Sequence, residues 1–140
     1  MAHKQLKIII DTNLWISYLI TKSYKQIDDL LVSKKIRIVF SEELLNEFID
    51  VIQRPEISKY FSLDDIKKLL ELFDFYGDLI EVKSGINQCR DPKDNFLLSL
   101  AVDSKADYLL TGDNDLLEIG QIGTTKIQTL TEFLKNKLFY

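Results

Sequence analysis

The run LKIII at residues 6–10, closed by Asp11, constrains the fold more tightly than any other stretch. β-Branched side chains are stiff at χ1 and favour extended backbone. Alternate residues of a strand face opposite ways, so isoleucines at 8, 9 and 10 put apolar surface on both faces. Such a strand is buried on both sides, which is the environment of a parallel sheet covered by helices. IRIVF (36–40) repeats the pattern, and DLIEVKS (78–84), ADYLLTGD (106–113) and TKIQTL (125–130) read as further short strands.

Helical segments fill the intervals. NLWISYLI (13–20) turns helical, and Ile27, Leu30 and Leu31 recur at helical spacing. Ser41 followed by Glu42 and Glu43 is a hydroxyl N-cap with acids in the first turn, and that helix should stop near Arg54, before Pro55. Ser62 with Asp65 three residues on opens another helix, which Gly77 ends. DPKDN (91–95) opens a helix running to about Ser104, and TEFLKNKL (131–138) forms the last one. EIGQIGTT (118–125) reads as a loop. Strands alternating with helices predict an α/β fold, and 140 residues suit one domain with one core.

Composition removes several classes of chemistry. His3 is the only histidine and Cys89 the only cysteine, so histidine catalysis, zinc sites and internal disulfides are disfavoured. No apolar run approaches the roughly 20 residues that span a bilayer. The start MAHKQLKIIID lacks the features of a signal peptide, so a cytoplasmic location is expected. The net charge of −4 speaks against a general nucleic-acid binder, which usually carries a basic face. A group of acids around a cation would make that total misleading.

The acids themselves are unevenly placed. Residues 90–115 hold Asp91, Asp94, Asp103, Asp107, Asp113 and Asp115 against Arg90, Lys93 and Lys105. Ligands of open parallel sheets bind beyond the carboxyl ends of the strands. Asp11 and Asp113 both follow strands there, although Asp-Thr-Asn and the TGDND stretch holding Asp113 and Asp115 are also good turn chemistry. Asp91, before Pro92, is a natural N-cap. Asp94 then occupies the third helical position, where it either completes a capping box or points toward the strand ends. Glu47 falls about 40° beyond the apolar stripe of its helix, so it is either a solvated helix acid or a member of the site. Asp103 and Asp107 should face solvent or begin the next strand. Carboxylates held within about 4–6 Å raise one another's pKa, so a converging set calls for a cation. Oxygen-only donors point to Mg²⁺ or Mn²⁺.

Three blocks, IIIDTNLWIS, FSEELLNEFIDVIQRPEISKYFS and DPKDNFLLSLAVDSKADYLLTGDNDLL, resemble in order and spacing the PIN-domain ribonucleases, most closely the branch of VapC-type toxins. The resemblance covers most of the chain. It implies a PIN-like three-layer α/β/α sandwich with a central parallel β-sheet, formed by residues 1–140 as a single domain. It also implies metal-dependent hydrolysis of RNA phosphodiester bonds with one or two Mg²⁺ or Mn²⁺ ions. The acids matching the family positions are Asp11, Glu47, Asp94 and Asp113, with Asp11, Asp94 and Asp113 as metal ligands and Glu47 a further candidate. Asn13, Thr111 and Asp115 would support them, and Arg90 and Lys93 at the rim would touch phosphates or stay solvated. A toxin role would bring an antitoxin protein partner and a homodimer, for which Phe139 and Tyr140 offer aromatic surface. The competing readings are a catalytically inactive PIN fold that binds RNA or protein, and a phospho-aspartate receiver or phosphatase-like domain. The latter would want Asp-x-Asp where this chain has Asp-Thr-Asn.

Overall fold

The computed structural model describes residues 5–21 and 25–135; His3, Phe139 and Tyr140 lie outside them. The elements are β1 (Leu6–Ile10), α1 (Thr12–Thr21), α2 (Lys25–Val32), β2 (Ile36–Phe40), α3 (Glu42–Ile52), α4 (Pro55–Ser58), α5 (Leu63–Tyr76), β3 (Gly77–Leu79), α6 (Pro92–Ser104), β4 (Tyr108–Leu110), α7 (Asn114–Ile119), β5 (Gln121–Ile122), β6 (Thr125–Gln128) and α8 (Leu130–Leu134). They build one six-stranded sheet in the order β3-β2-β1-β4-β6-β5. All neighbours pair in parallel except β5 with β6.

β1 sits centrally, with Ile8 opposite both Ile38 of β2 and Tyr108 of β4. Ile8, Ile9 and Ile10 are all buried, as a strand covered on both faces requires. The chain winds from β1 through β2 to β3, then returns to β4 on the other side of β1 and moves away through β6. Right-handed crossovers place the helices of these two excursions on opposite faces. The result is the α/β/α arrangement, and it leaves a switch point between β1 and β4.

An aromatic cluster holds the first face together. Phe73 of α5 packs edge-on to Trp15 of α1 and Phe48 of α3, at 5.4 and 5.9 Å between centroids, and at 5.4 Å to Phe40 of β2. These contacts fix the helices that carry Asp11 at one end and Glu47 in the middle. Further across the same face, Tyr108, which shares it with Ile8, Ile38 and Phe40, packs against Phe133 of α8 at 5.0 Å. Thr125 Oγ1 donates to the carbonyls of Ala106 (2.6 Å) and Ala101, tying β6 to the end of α6.

Several expected boundaries shift. The expected strand 78–84 is ordered as a strand only through Leu79. α5 runs directly into it, because Gly77 adopts an extended conformation (φ −113°) instead of a left-handed cap. A Cβ at Gly77 would meet the Phe73 carbonyl at 2.4 Å and Phe40 Cε1 at 2.6 Å, so close approach requires the glycine. Arg37 secures this edge through two hydrogen bonds to Asp78, at 2.9 and 3.0 Å, and one to the Gly77 carbonyl.

The stretch after Leu79 is a strap laid along α6. Asp103 accepts from the Lys83 and Ser84 amides and from the Ser84 hydroxyl. Ser99 Oγ accepts from Ile86, and Asn95 grips both the amide and the carbonyl of Cys89. These three residues recur every four positions on one helix face. Asp103 therefore neither faces solvent freely nor begins a strand. Asp107 does precede β4, and its carboxylate accepts from the Lys7 amide at 2.8 Å.

α4, α7 and β5 are additional to the elements expected from the sequence. β5 forms a two-residue hairpin with β6 inside the expected 118–125 loop, turning at Gly123 (φ +55°). Among the described residues, no helix is long and apolar enough to cross a membrane.

Candidate functional site

Five carboxylates from four parts of the chain line one cleft at the carboxyl edge of the sheet. It encloses about 500 Å³ and is bounded by Asp11, Asn13, Ser17, Glu47, Asp91, Lys93, Asp94 and Asp113, with Leu14, Leu97 and Gly112. It opens beside the β1–β4 switch point, where open α/β sheets bind ligands.

Each acid is placed by ordinary local chemistry. Asp11 ends β1, and its amide donates to the Leu110 carbonyl of β4 at 3.0 Å. Its own carbonyl accepts from Leu14 and Trp15, which starts α1. Its carboxylate accepts from the Thr111 hydroxyl at 2.9 Å and from the Asn13 amide. Thr111 Oγ1 in turn accepts from the Asp113 amide at 3.0 Å, so one hydroxyl couples the two strand ends.

Asp113 caps α7 by accepting from the Asp115 amide at 2.9 Å, and Asp91 caps α6 by accepting from the Lys93 amide at the same distance. The turn chemistry expected of TGDND is thus present and does not remove Asp113 from the cleft. No capping box forms at α6; Asp94, at the third helical position, turns inward and is only 5% exposed. Glu47 stands on the half-buried flank of α3, whose start is fixed by the buried Ser41 side chain accepting from Leu44. Its Oε1 lies 3.4 Å from Lys93 Nζ.

The electrostatics follow from this crowding. Burial, a hydrogen bond to the Asp113 carboxyl, and the negative charges of Asp113, Asp91 and Asp11 push Asp94 up to about 7. Burial also raises Asp11, offset in part by its hydrogen bonds to Thr111 and Asn13, while Glu47 and Asp113 push it further up. Burial and the neighbouring acids raise the Cys89 thiol, so it is no thiolate nucleophile at neutral pH.

Asp94, Asp113 and Asp115 can each offer a carboxylate oxygen with these atoms within 4.8 Å of one another, the only such group among the described residues. Asp115 completes this group although it is not part of the cleft wall. Asp11 and Glu47 share the cleft but stand outside the tightest group. Asn13 exposes its side chain to the cleft, and Thr111 is buried behind Asp11. Lys93 lines the cleft, whereas Arg90 is exposed and does not. Ser17, one turn beyond Asn13, is a lining residue that the sequence reading passed over; the i, i+4 spacing from Asn13 was its signal.

A PIN-domain family model matches residues 7–115, from the first strand to the last acid of the group. The chain belongs to the PIN-domain family. It is 34% identical over 122 residues to the uncharacterized protein MJ1680 of Methanocaldococcus jannaschii, covering 85% of this chain and 78% of that protein. Its fold is similar to the crystal structure of PAE2754 from Pyrobaculum aerophilum, with a TM-score of 0.54 and 13% identity over 93% of this chain and 88% of that one. The PIN fold is a nuclease-like fold, and the acids of this chain stand at the carboxyl edge of its sheet.

Proposed function

We propose that this PIN domain is a metal-dependent endoribonuclease that hydrolyses RNA phosphodiester bonds. The observation that carries the reading is the buried Asp94 carboxyl pressed against Asp113, with Asp11 hydrogen-bonded through Thr111 in the same cleft. Acids so arranged need either a proton or a cation. All donors are oxygens, which fits Mg²⁺ or Mn²⁺.

Asp11, Asp94 and Asp113 would hold the ion, and Glu47 would hold a second ion or orient the attacking water. A bound divalent ion supplies an acidified water and offsets charge on the phosphate. The Asp11 carboxylate is held by the Thr111 hydroxyl on one oxygen and by the Asn13 amide, so its orientation is set. Asp113 is held at the α7 cap and Asp94 by the first turn of α6, so neither carboxylate needs to reorganise when substrate arrives. Asn13 and Ser17 present polar groups to the strand backbone. Asp115 supports the group from outside the cleft.

A toxin role, with an antitoxin partner and a homodimer, is part of the same proposal and rests on the sequence resemblance. Incubating a labelled single-stranded RNA with the protein, with and without Mn²⁺, tests the chemistry. Cleavage should require the metal and disappear in Asp11→Asn with the fold intact by circular dichroism. Full cleavage by that variant would refute the assignment. Growth arrest on expression, relieved by the same substitution, tests the toxin role.

A further inference from the structure

Lys93 is the sole basic residue lining the cleft among the described residues, facing Asp11, Glu47, Asp91, Asp94 and Asp113. Its ammonium reaches from α6 across to α3, 3.4 Å from Glu47 Oε1. The pair is unequal: the Lys93 side chain is 61% exposed and that of Glu47 30%, so the ammonium approaches from the solvent side. The Lys93 backbone cannot follow it, because its amide is held in the α6 cap by Asp91 and the next residue, Asp94, is buried.

Two properties follow. An ion pair this exposed is weak and readily exchanged. A lysine stem is long and flexible, so the charge can move several ångströms while the helix stays fixed. An acidic cleft also repels a phosphodiester unless a cation stands at its mouth.

We propose that Lys93 is an exchangeable counter-cation: it neutralises Glu47 in the metal-free protein and, once a divalent ion takes over that duty, contacts a phosphate of the substrate strand. This rests on the metal-dependent ribonuclease reading and adds a substrate-positioning residue to it. Lys93 competes with the divalent ion for Glu47 by like-charge repulsion, and it is free for RNA only after losing that competition.

The test compares Lys93→Met, which keeps the stem and removes the charge, with Lys93→Arg and the unaltered chain. In titration calorimetry at low salt, Lys93→Met should bind Mn²⁺ about two- to fivefold more tightly, the range an exposed ion pair spans. With saturating Mn²⁺, its KM for single-stranded RNA should rise about three- to tenfold while kcat stays within about twofold. The salt dependence of log KM should lose about 0.7 in slope, the equivalent of one phosphate contact. Lys93→Arg should restore KM. An unaltered chain that binds Mn²⁺ and cleaves RNA, beside a Lys93→Met that binds Mn²⁺ no more tightly or keeps its KM, would overturn this inference and leave the ribonuclease reading standing. An unaltered chain that neither binds Mn²⁺ nor cleaves RNA would overturn both.

Discussion

Raising the pH should destabilise the metal-free protein, and Asp94 sets how much. Its pKa is 3.8 in an unstructured chain and about 7 in the fold. Holding it charged in the folded state at high pH therefore costs about 4 kcal/mol. A carboxyl raised in this way stabilises the fold fully below its unfolded pKa and loses that contribution as pH climbs through the folded one. The loss thus spans roughly pH 4 to 7, and about 2–3 kcal/mol of it falls between pH 5 and pH 8. Asp11, also raised, changes in the same direction. Urea unfolding in EDTA at pH 5, 6, 7 and 8 reads the effect, and Asp94→Asn isolates it. The unaltered protein should lose stability across this range relative to Asp94→Asn, and saturating Mn²⁺ should recover the loss at pH 8 far more than at pH 5. Parallel curves for the two proteins, or an unaltered protein that gains stability on the variant toward pH 8, would refute the crowding of Asp94.

The rest of the structure makes further claims on experiment. Thr111→Val removes the hydroxyl that donates to Asp11 and accepts from Asp113; cleavage should fall about 10- to 100-fold and the acid limb of the pH–rate profile should move upward, as steady-state rates between pH 5 and 8 would record. Phe73→Ala empties the centre of the aromatic cluster and should cost about 3–5 kcal/mol in urea unfolding. Asp103→Ala frees the strap and should cost about 1–3 kcal/mol, with faster amide hydrogen exchange at Lys83 and Ser84 than elsewhere.

Much of this architecture is written locally. The isoleucines of β1 announce a strand buried on both faces, and Asp91-Pro92 announces the start of α6, because those signals need no distant partner. Ser41 and Ser62 cap their helices for the same reason. The short elements were hidden. β5 has two residues and α7 six, too few for any periodicity to show. α7 is instead readable from Asp113 as a cap, a role that the turn reading of TGDND came close to. The strap was invisible because its hydrogen bonds run from backbone amides to side chains 6 to 20 residues away. The polar repeat Asn95, Ser99, Asp103 on α6 was its one trace.

The site divides in the same way. Asp11 and Asp113 follow from their positions at strand ends. The third helical position leaves Asp94 either role, capping box or cleft, and packing decides it: Asp91 alone caps the helix, and Asp94 is buried facing Asp113. Glu47 depends on how far α3 is rotated, which is set by Phe48 meeting Phe73 and not by any feature next to Glu47 in the chain. Asp115 joins Asp94 and Asp113 through the first turn of α7, a helix too short to show a periodicity.

The proposed ribonuclease function requires one divalent cation to be shared by carboxylates from β1, α6 and the β4–α7 junction. Crystals soaked in Mn²⁺ and measured for its anomalous signal test this directly. A shared ion gives a peak within about 2.0–2.3 Å of oxygens of Asp11, Asp94 and Asp113. Mn²⁺ bound only at other surface carboxylates, with Asp94 still facing Asp113 and no density between them and Asp11, would contradict it.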